Sequence, residues 1–141
     1  KLKKNYPNYY EILTKIKVRY QFIDKDIVLE DWAEMIKLDE NKNFKQVRFS
    51  PRLDFVPLLE KKKLDLYYAA RNKISELYNS DKFRLEFKLV PGDLLMMDNH
   101  RLLHGRTSFN ANEGDRFLQG CYIDYDSTEG KLKHLKRKFN I

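Results

Sequence analysis

The sequence predicts an antiparallel β architecture carrying helical insertions, and three observations support that class. Several short segments alternate apolar and polar residues, most strictly Phe83 to Leu89. Only a few stretches carry helical spacing instead, and clusters of Pro, Gly, Asn and Asp punctuate the chain between them. A length of 141 residues leaves room for one domain around one modest core. With 42% hydrophobic residues, 9 Tyr, 9 Phe and Trp32, the chain has the composition of a folded protein.

Taken in order, Pro7 to Ile16 predicts a short helix, because proline suits a first helical turn and Tyr9, Ile12, Leu13 and Ile16 recur at helical spacing. Lys17 to Ile23 alternates, with Val18, Tyr20 and Phe22 on one side, and predicts a strand. Asp24 to Asp31 is acidic and reads as a loop. Ala33 to Leu38 and Lys45 to Phe49 then predict a hairpin joined by the polar turn Asp39-Glu40-Asn41-Lys42-Asn43. Ser50 to Leu59 carries two prolines and no period, which predicts an irregular connection of the kind that lines sites.

The clearest helix spans Glu60 to Tyr78, where Leu66, Tyr67, Ala70, Ile74 and Leu77 form a core-facing stripe and Asn79-Ser80-Asp81 marks the end. Beyond it, four strands are predicted: Phe83 to Leu89, Leu94 to Asp98, Arg101 to His104 and Phe117 to Tyr125. Pro91-Gly92-Asp93 makes a turn between the first two, and a polar loop through Asn110, Asn112, Glu113 and Gly114 precedes the last. Gly130 to Lys138 reads as a basic helix with Lys or Arg at five positions. It is compatible with phosphate or acidic lipid, and a solvated terminal face is the plainer reading.

The bulk properties narrow the function. The net charge of +7 would suit an acidic partner or a small anion, but 28 basic residues are interspersed with 21 acidic ones, so nucleic acid is not indicated. Cys121 is the only cysteine, which removes a disulfide framework and a cysteine-based zinc site and fits a reducing compartment, cytoplasm or mitochondrion. No apolar run is long enough to span a membrane. The chain opens on Lys1-Leu2-Lys3-Lys4 without an initiator Met, which suggests a piece of something longer. Gly-rich phosphate loops, the Gly-x-Ser-x-Gly elbow and the His-Glu-x-x-His zinc motif are all absent.

The residues that could carry chemistry gather between Pro91 and Asp126. His104 is followed by Gly105, which permits a sharp turn, and by the fixed cation Arg106; Arg116 follows twelve residues after His104. A lone histidine is ordinarily a core or surface residue bonded to a carbonyl. Arg116 raises the alternative, since a guanidinium fork is the natural partner of a carboxylate, and strand-loop-strand connectivity could bring both side chains to one surface. Arg116 could equally pair with Glu113, Asp115 or Asp124.

The run GDLLMMDNHRLLHGRTSF, followed by the arginine of GDRFLQGCYIDYD, resembles the C-terminal part of the Fe(II)- and 2-oxoglutarate-dependent dioxygenases of the γ-butyrobetaine and trimethyllysine hydroxylase group, within the taurine-dioxygenase-like superfamily. That resemblance implies a distorted double-stranded β-helix, or jelly roll, of which this chain would be an incomplete, C-terminal portion. It also implies Fe(II) and 2-oxoglutarate, with ascorbate as an optional reductant, dioxygen, and a small trimethylammonium substrate on the route to carnitine. The family's distal iron histidine falls on His104, and the arginine that grips the far carboxylate of 2-oxoglutarate falls on Arg116. Arg106 either supports that carboxylate or braces the turn. Tyr122 aligns with an aromatic that cages a quaternary ammonium, a role the face of a ring suits, unless it simply fills the barrel. Asn99 lies in the family's Asp-Asn segment, near the metal or stabilising a turn.

Two departures matter. His100 stands where the family usually has Trp, four residues before His104, which offers a rival ligand; the Gly-Arg neighbours favour His104. The proximal His-x-Asp or His-x-Glu pair is missing, because His100, His104 and His134 are followed two positions on by Leu102, Arg106 and Lys136. The expectation is therefore that residues 1–141 are the C-terminal portion of one catalytic domain, inactive alone and completed by a missing N-terminal half, with a homodimer of the parent left open. A non-catalytic binding or assembly module, or a dioxygenase of another small substrate, are the rivals.

Overall fold

Two helices open the chain in the computed structural model, which describes residues 1–50, 54–108 and 117–141. They are α1 (Leu2–Asn5) and α2 (Pro7–Lys15). Pro7 sits in the first turn of α2, where its missing N–H is no loss, and the helix buries Ile12 and Leu13. α1 was not foreseen: four residues with a single buried side chain, Leu2, offer no period to read.

β1 (Lys17–Asp24) and β2 (Ile27–Glu34) pair antiparallel along their whole length, from Lys17 opposite Glu34 to Asp24 opposite Ile27. This corrects the loop predicted over Asp24 to Asp31. The turn is only Lys25-Asp26, with Lys25 at φ 39°, and the acidic residues beyond it lie on a strand where cations and an amide compensate them. Glu30 lies 3.8 Å from Arg19 and accepts from Gln21 at 3.1 Å, while Asp31 lies 3.3 Å from Arg48. Those partners come from other segments, so a local reading saw only the charge.

The predicted second hairpin is present with shifted ends, as β3 (Ile36–Leu38) and β4 (Phe44–Val47). Ala33 and Glu34 belong instead to β2. Asp39 closes the turn by accepting from the Asn43 amide at 2.7 Å, and Lys42 takes φ 61°. Within the predicted irregular connection, Asp54 and Phe55 form a two-residue β5 against Tyr20 and Arg19, giving the sheet order β2-β1-β5.

α3 (Lys61–Tyr78) matches the predicted helix almost to its ends. Its stripe turns inward, with Tyr67, Ala70 and Ile74 buried beside Leu2, Ile12, Leu13, Val18, Met35 and Ile36, and with Leu66 and Leu77 at the margin. This cluster is the core of one compact unit, Lys1–Gly105; a second, Arg106–Ile141, contains α4 (Tyr125–Phe139). α4 starts five residues before the predicted basic helix and takes in Tyr125, which had been read as the end of a strand.

The four strands predicted after α3 are not formed among the described residues. Phe83 to Leu89 has its alternation in sequence yet no ladder partner among the described residues, and alternation alone cannot create one. A strand is a hydrogen-bonded relation between two segments. The β content is antiparallel, as read, but helices claim more of the described residues than strands do.

Candidate functional site

The segment from Val90 to Gly105 is shaped by two carboxylates. Asp93 accepts from the Val90 amide at 2.9 Å across the Pro91-Gly92 turn, where Gly92 adopts φ 93°, a conformation that requires glycine. Asp98 accepts from the His100 amide at 3.0 Å, and its carbonyl accepts from the amides of Arg101 and Leu102 at 3.0 and 3.1 Å. Asn99, His100 and Arg101 therefore form a turn, and Asp98 rather than Asn99 braces it. The His100 carbonyl accepts from Val47 at 2.9 Å, tying this turn to the end of β4.

His104 lies beyond the turn on irregular, exposed backbone, and Asn99 is exposed as well. In the second unit Arg106 is exposed, and Tyr122 is 88% exposed. Arg116, the predicted carboxylate clamp, lies outside the described residues. No group of three or more His, Cys, Asp or Glu side chains among the described residues could hold a metal ion. One imidazole does not make a site for Fe(II), which takes two histidines and a carboxylate in oxygenases of the facial-triad type.

The buried polar chemistry lies elsewhere and was missed. Asp54, with its side chain 2% exposed, pairs with Arg71 of α3 at 2.8 Å. Arg71 also donates to the Ser50 carbonyl at 3.3 Å and lies 5.6 Å from the centre of the Phe49 ring. Tyr67 is fully buried nearby, and burial, with the charge of Asp54 adding to it, pushes its hydroxyl up to about 12. Burial likewise raises Tyr20, which donates to the Arg48 carbonyl at 3.2 Å. A signal existed: Arg71 stands four residues after Tyr67, on the core side of the helix. An open cleft of about 380 Å³ borders this cluster, with Tyr20, Phe22, Leu29, Arg48 and Phe49 in its wall.

The arrangement can brace α3 against β5, but it presents no nucleophile with its base. Its tyrosines stay protonated at neutral pH, and the Asp54 carboxylate is engaged by Arg71.

A family model described as taurine catabolism dioxygenase TauD, TfdA family matches residues 1–122. The chain belongs to that family. The family match contains Asn99, His104, Arg106 and Arg116 and ends on Tyr122. Among curated relatives, the chain is 32% identical over 143 residues to gamma-butyrobetaine dioxygenase of Homo sapiens, covering 98% of this chain and 37% of that protein. It is 28% identical over 131 residues to gamma-butyrobetaine dioxygenase of Pseudomonas sp. (strain AK-1), covering 93% and 34%. With trimethyllysine dioxygenase of Meyerozyma guilliermondii it shares 31% identity over 139 residues, covering 95% and 34%. The chain thus spans little more than a third of the length of these relatives.

Proposed function

We propose that this chain is the C-terminal portion of the catalytic domain of an Fe(II)- and 2-oxoglutarate-dependent dioxygenase, of jelly-roll fold, that hydroxylates a small trimethylammonium compound such as γ-butyrobetaine or trimethyllysine. The observation that carries the reading is the run from Gly92 to Arg106, followed by Arg116 and Tyr122, inside a family match that extends over residues 1–122. The names of the relatives supply the substrate class.

In this reading His104 contributes one imidazole to the iron, and the other histidine and the carboxylate come from chain beyond these residues. Bound Fe(II) supplies the centre at which the oxo acid and dioxygen meet. Arg116 takes the far carboxylate of 2-oxoglutarate in a two-pronged contact, fixing the pose of the cosubstrate, with Arg106 as a second cation. The ring face of Tyr122 receives the quaternary ammonium, which offers no hydrogen bond and is recognised by the π cloud instead. Asn99 contributes through the turn that Asp98 braces.

Succinate release tests this, measured with γ-butyrobetaine, trimethyllysine and taurine offered separately to the chain alone and to the longer polypeptide from which it derives. The expected outcome is no turnover by the chain alone, and turnover of a trimethylammonium substrate by the longer protein. Arg116→Ala in that protein is expected to raise the KM for 2-oxoglutarate at least about tenfold, the loss of a charge-assisted contact. Turnover by the 141-residue chain alone would overturn the assignment of missing ligands, and taurine as the preferred substrate would overturn the substrate class.

A non-catalytic binding module is the second reading. It is favoured by one observation, that no histidine in the sequence has a carboxylate two positions on. A longer protein that binds 2-oxoglutarate yet turns over none of the three substrates would decide for it.

A further inference from the structure

Arg71 of α3 reaches across to the chain that leaves β4, and a single nitrogen makes two contacts there. Its Nη2 donates to the Ser50 carbonyl at 3.3 Å and to the Asp54 carboxylate at 2.8 Å. The guanidinium also lies 5.6 Å from the centre of the Phe49 ring, which packs edge to face with Tyr78 at the end of the same helix. With the Arg71 side chain 21% exposed and that of Asp54 2% exposed, water competes little for these contacts. One cation thus holds Phe49, Ser50 and Asp54 against a helix whose inner face lies in the core.

The exit of β4 also decides where the His100 turn sits. Both ends of that strand hold the turn: the Val47 amide donates to the His100 carbonyl at 2.9 Å, and the Arg101 guanidinium lies 5.3 Å from the centre of the Phe44 ring. Phe49 and Ser50 follow Val47 by two and three residues, and the Arg48 amide between them is tied at 2.8 Å to the carbonyl of the fully buried Met35. A shift of Phe49 and Ser50 therefore carries Val47, and with it the anchor of the turn. The Leu102 amide closes the turn on the Asp98 carbonyl at 3.1 Å, and His104 comes two residues later. All of these residues belong to the unit Lys1–Gly105.

We propose that Arg71 is a positioning residue for His104, fixing through Ser50 and the exit of β4 the turn from which that histidine projects. The inference rests on the assignment of His104 to the iron made under Proposed function. Reacting groups tolerate little displacement, a misplacement of about 1 Å costing on the order of a hundredfold in rate, so a clamp remote from the chemistry can govern it.

Two variants test this, in the 141-residue chain and in the longer polypeptide from which it derives. Asp54→Leu with Arg71→Met removes the buried pair and the bond to Ser50 together and strands no charge, so the unfolding midpoint is expected to stay close to that of the parent. Arg71→Lys keeps one donor nitrogen. In the chain, the double variant is expected to speed hydrogen exchange at the Val47 amide at least about tenfold, and Arg71→Lys to stay within about threefold of the parent. In the longer protein at saturating iron, the double variant is expected to lower kcat for the trimethylammonium substrate about tenfold while the KM for 2-oxoglutarate stays within about twofold, and Arg71→Lys to retain most of the rate. Should the double variant fail to fold, Arg71→Gln takes its place in both measurements, compared at equal fraction folded.

Unchanged Val47 exchange, unchanged kcat, or a kcat that falls only in step with the unfolding midpoint would each overturn the proposal and leave Arg71 a brace of the core alone. If the longer protein turns over none of the substrates offered, the role at His104 falls with the assignment it rests on. Val47 exchange, which needs no turnover, then still decides whether Arg71 holds the turn.

Discussion

Residues up to Tyr78 and residues from Phe83 to Leu103 are built from the same kinds of apolar side chain and meet opposite fates. Leu13, Val18, Met35 and Tyr67 are fully enclosed, whereas Leu85 is 84% exposed and Phe83, Phe87, Leu94 and Met96 all face outward. The difference is not hydrophobicity. Leu13 and Tyr67 lie on two helices that pack face to face, and Val18 lies on a strand with neighbours on both sides at its base. Phe83 to Leu89 has equal periodicity and no ladder partner among the described residues, the ring of Phe83 meeting the Lys1 ammonium at 5.5 Å from the ring centre. Pattern supplies a face; burial requires another face.

That contrast can be broken from its strong side first. Leu13→Ala deletes a side chain with 0% exposure and is expected to cost about 3 kcal/mol in urea unfolding, the transfer loss plus the cavity it leaves. Leaving stability unchanged would mean that α2 and α3 do not pack as described. Removing a charge is the next test. Asp54→Ala strands the Arg71 guanidinium, whose side chain is 21% exposed and so partly rescued by water, and is expected to cost about 2 kcal/mol. Replacing both partners, Asp54→Leu with Arg71→Met, should recover most of that loss.

Alkaline titration sharpens the same point. The Tyr67 hydroxyl titrates at about 12 in the fold against an ordinary 10.0. The folded state therefore holds its proton where the unfolded state has released it. Stability is expected to be complete below pH about 10 and to fall as pH rises from there to about 12. Tyr67→Phe should flatten part of that decline; an unchanged slope would locate the loss in Tyr20 or Tyr78, which burial also raises. The smallest effect belongs to the open region. Leu85→Ala is expected to change the stability of this chain by less than about 0.5 kcal/mol, because its side chain is already in water. A loss comparable to that of Leu13→Ala would show that the segment has a partner.

Residue by residue, the legible parts share one property. The stripe of α3, the proline start of α2, the Asp39-to-Asn43 turn and the Pro91-Gly92-Asp93 turn all depend on residues within a few positions of one another, and all are found. For the candidate site, the chemistry of His104, Arg106, Arg116 and Tyr122 was readable as a spaced motif, and the family match contains all four. Their mutual placement was not readable in the same way. Asn99 illustrates why: its segment was recognisable from its neighbours, but the group that braces the turn proved to be the carboxylate of Asp98.

By itself the sequence determined which segments could be helical, where glycine and aspartate turn the backbone, and to which family the chemistry-bearing residues belong. The first two follow from side-chain period and short-range hydrogen bonding, and the family from the resemblance carried by the spaced motif. Only the tertiary structure decided that Ile27 to Glu34 is a strand rather than an acidic loop, that Phe83 to Leu89 is not one, and that Asp54 meets Arg71. Each of these depends on a partner many residues away, and a ladder or a buried ion pair is a property of two segments together, which neither carries alone.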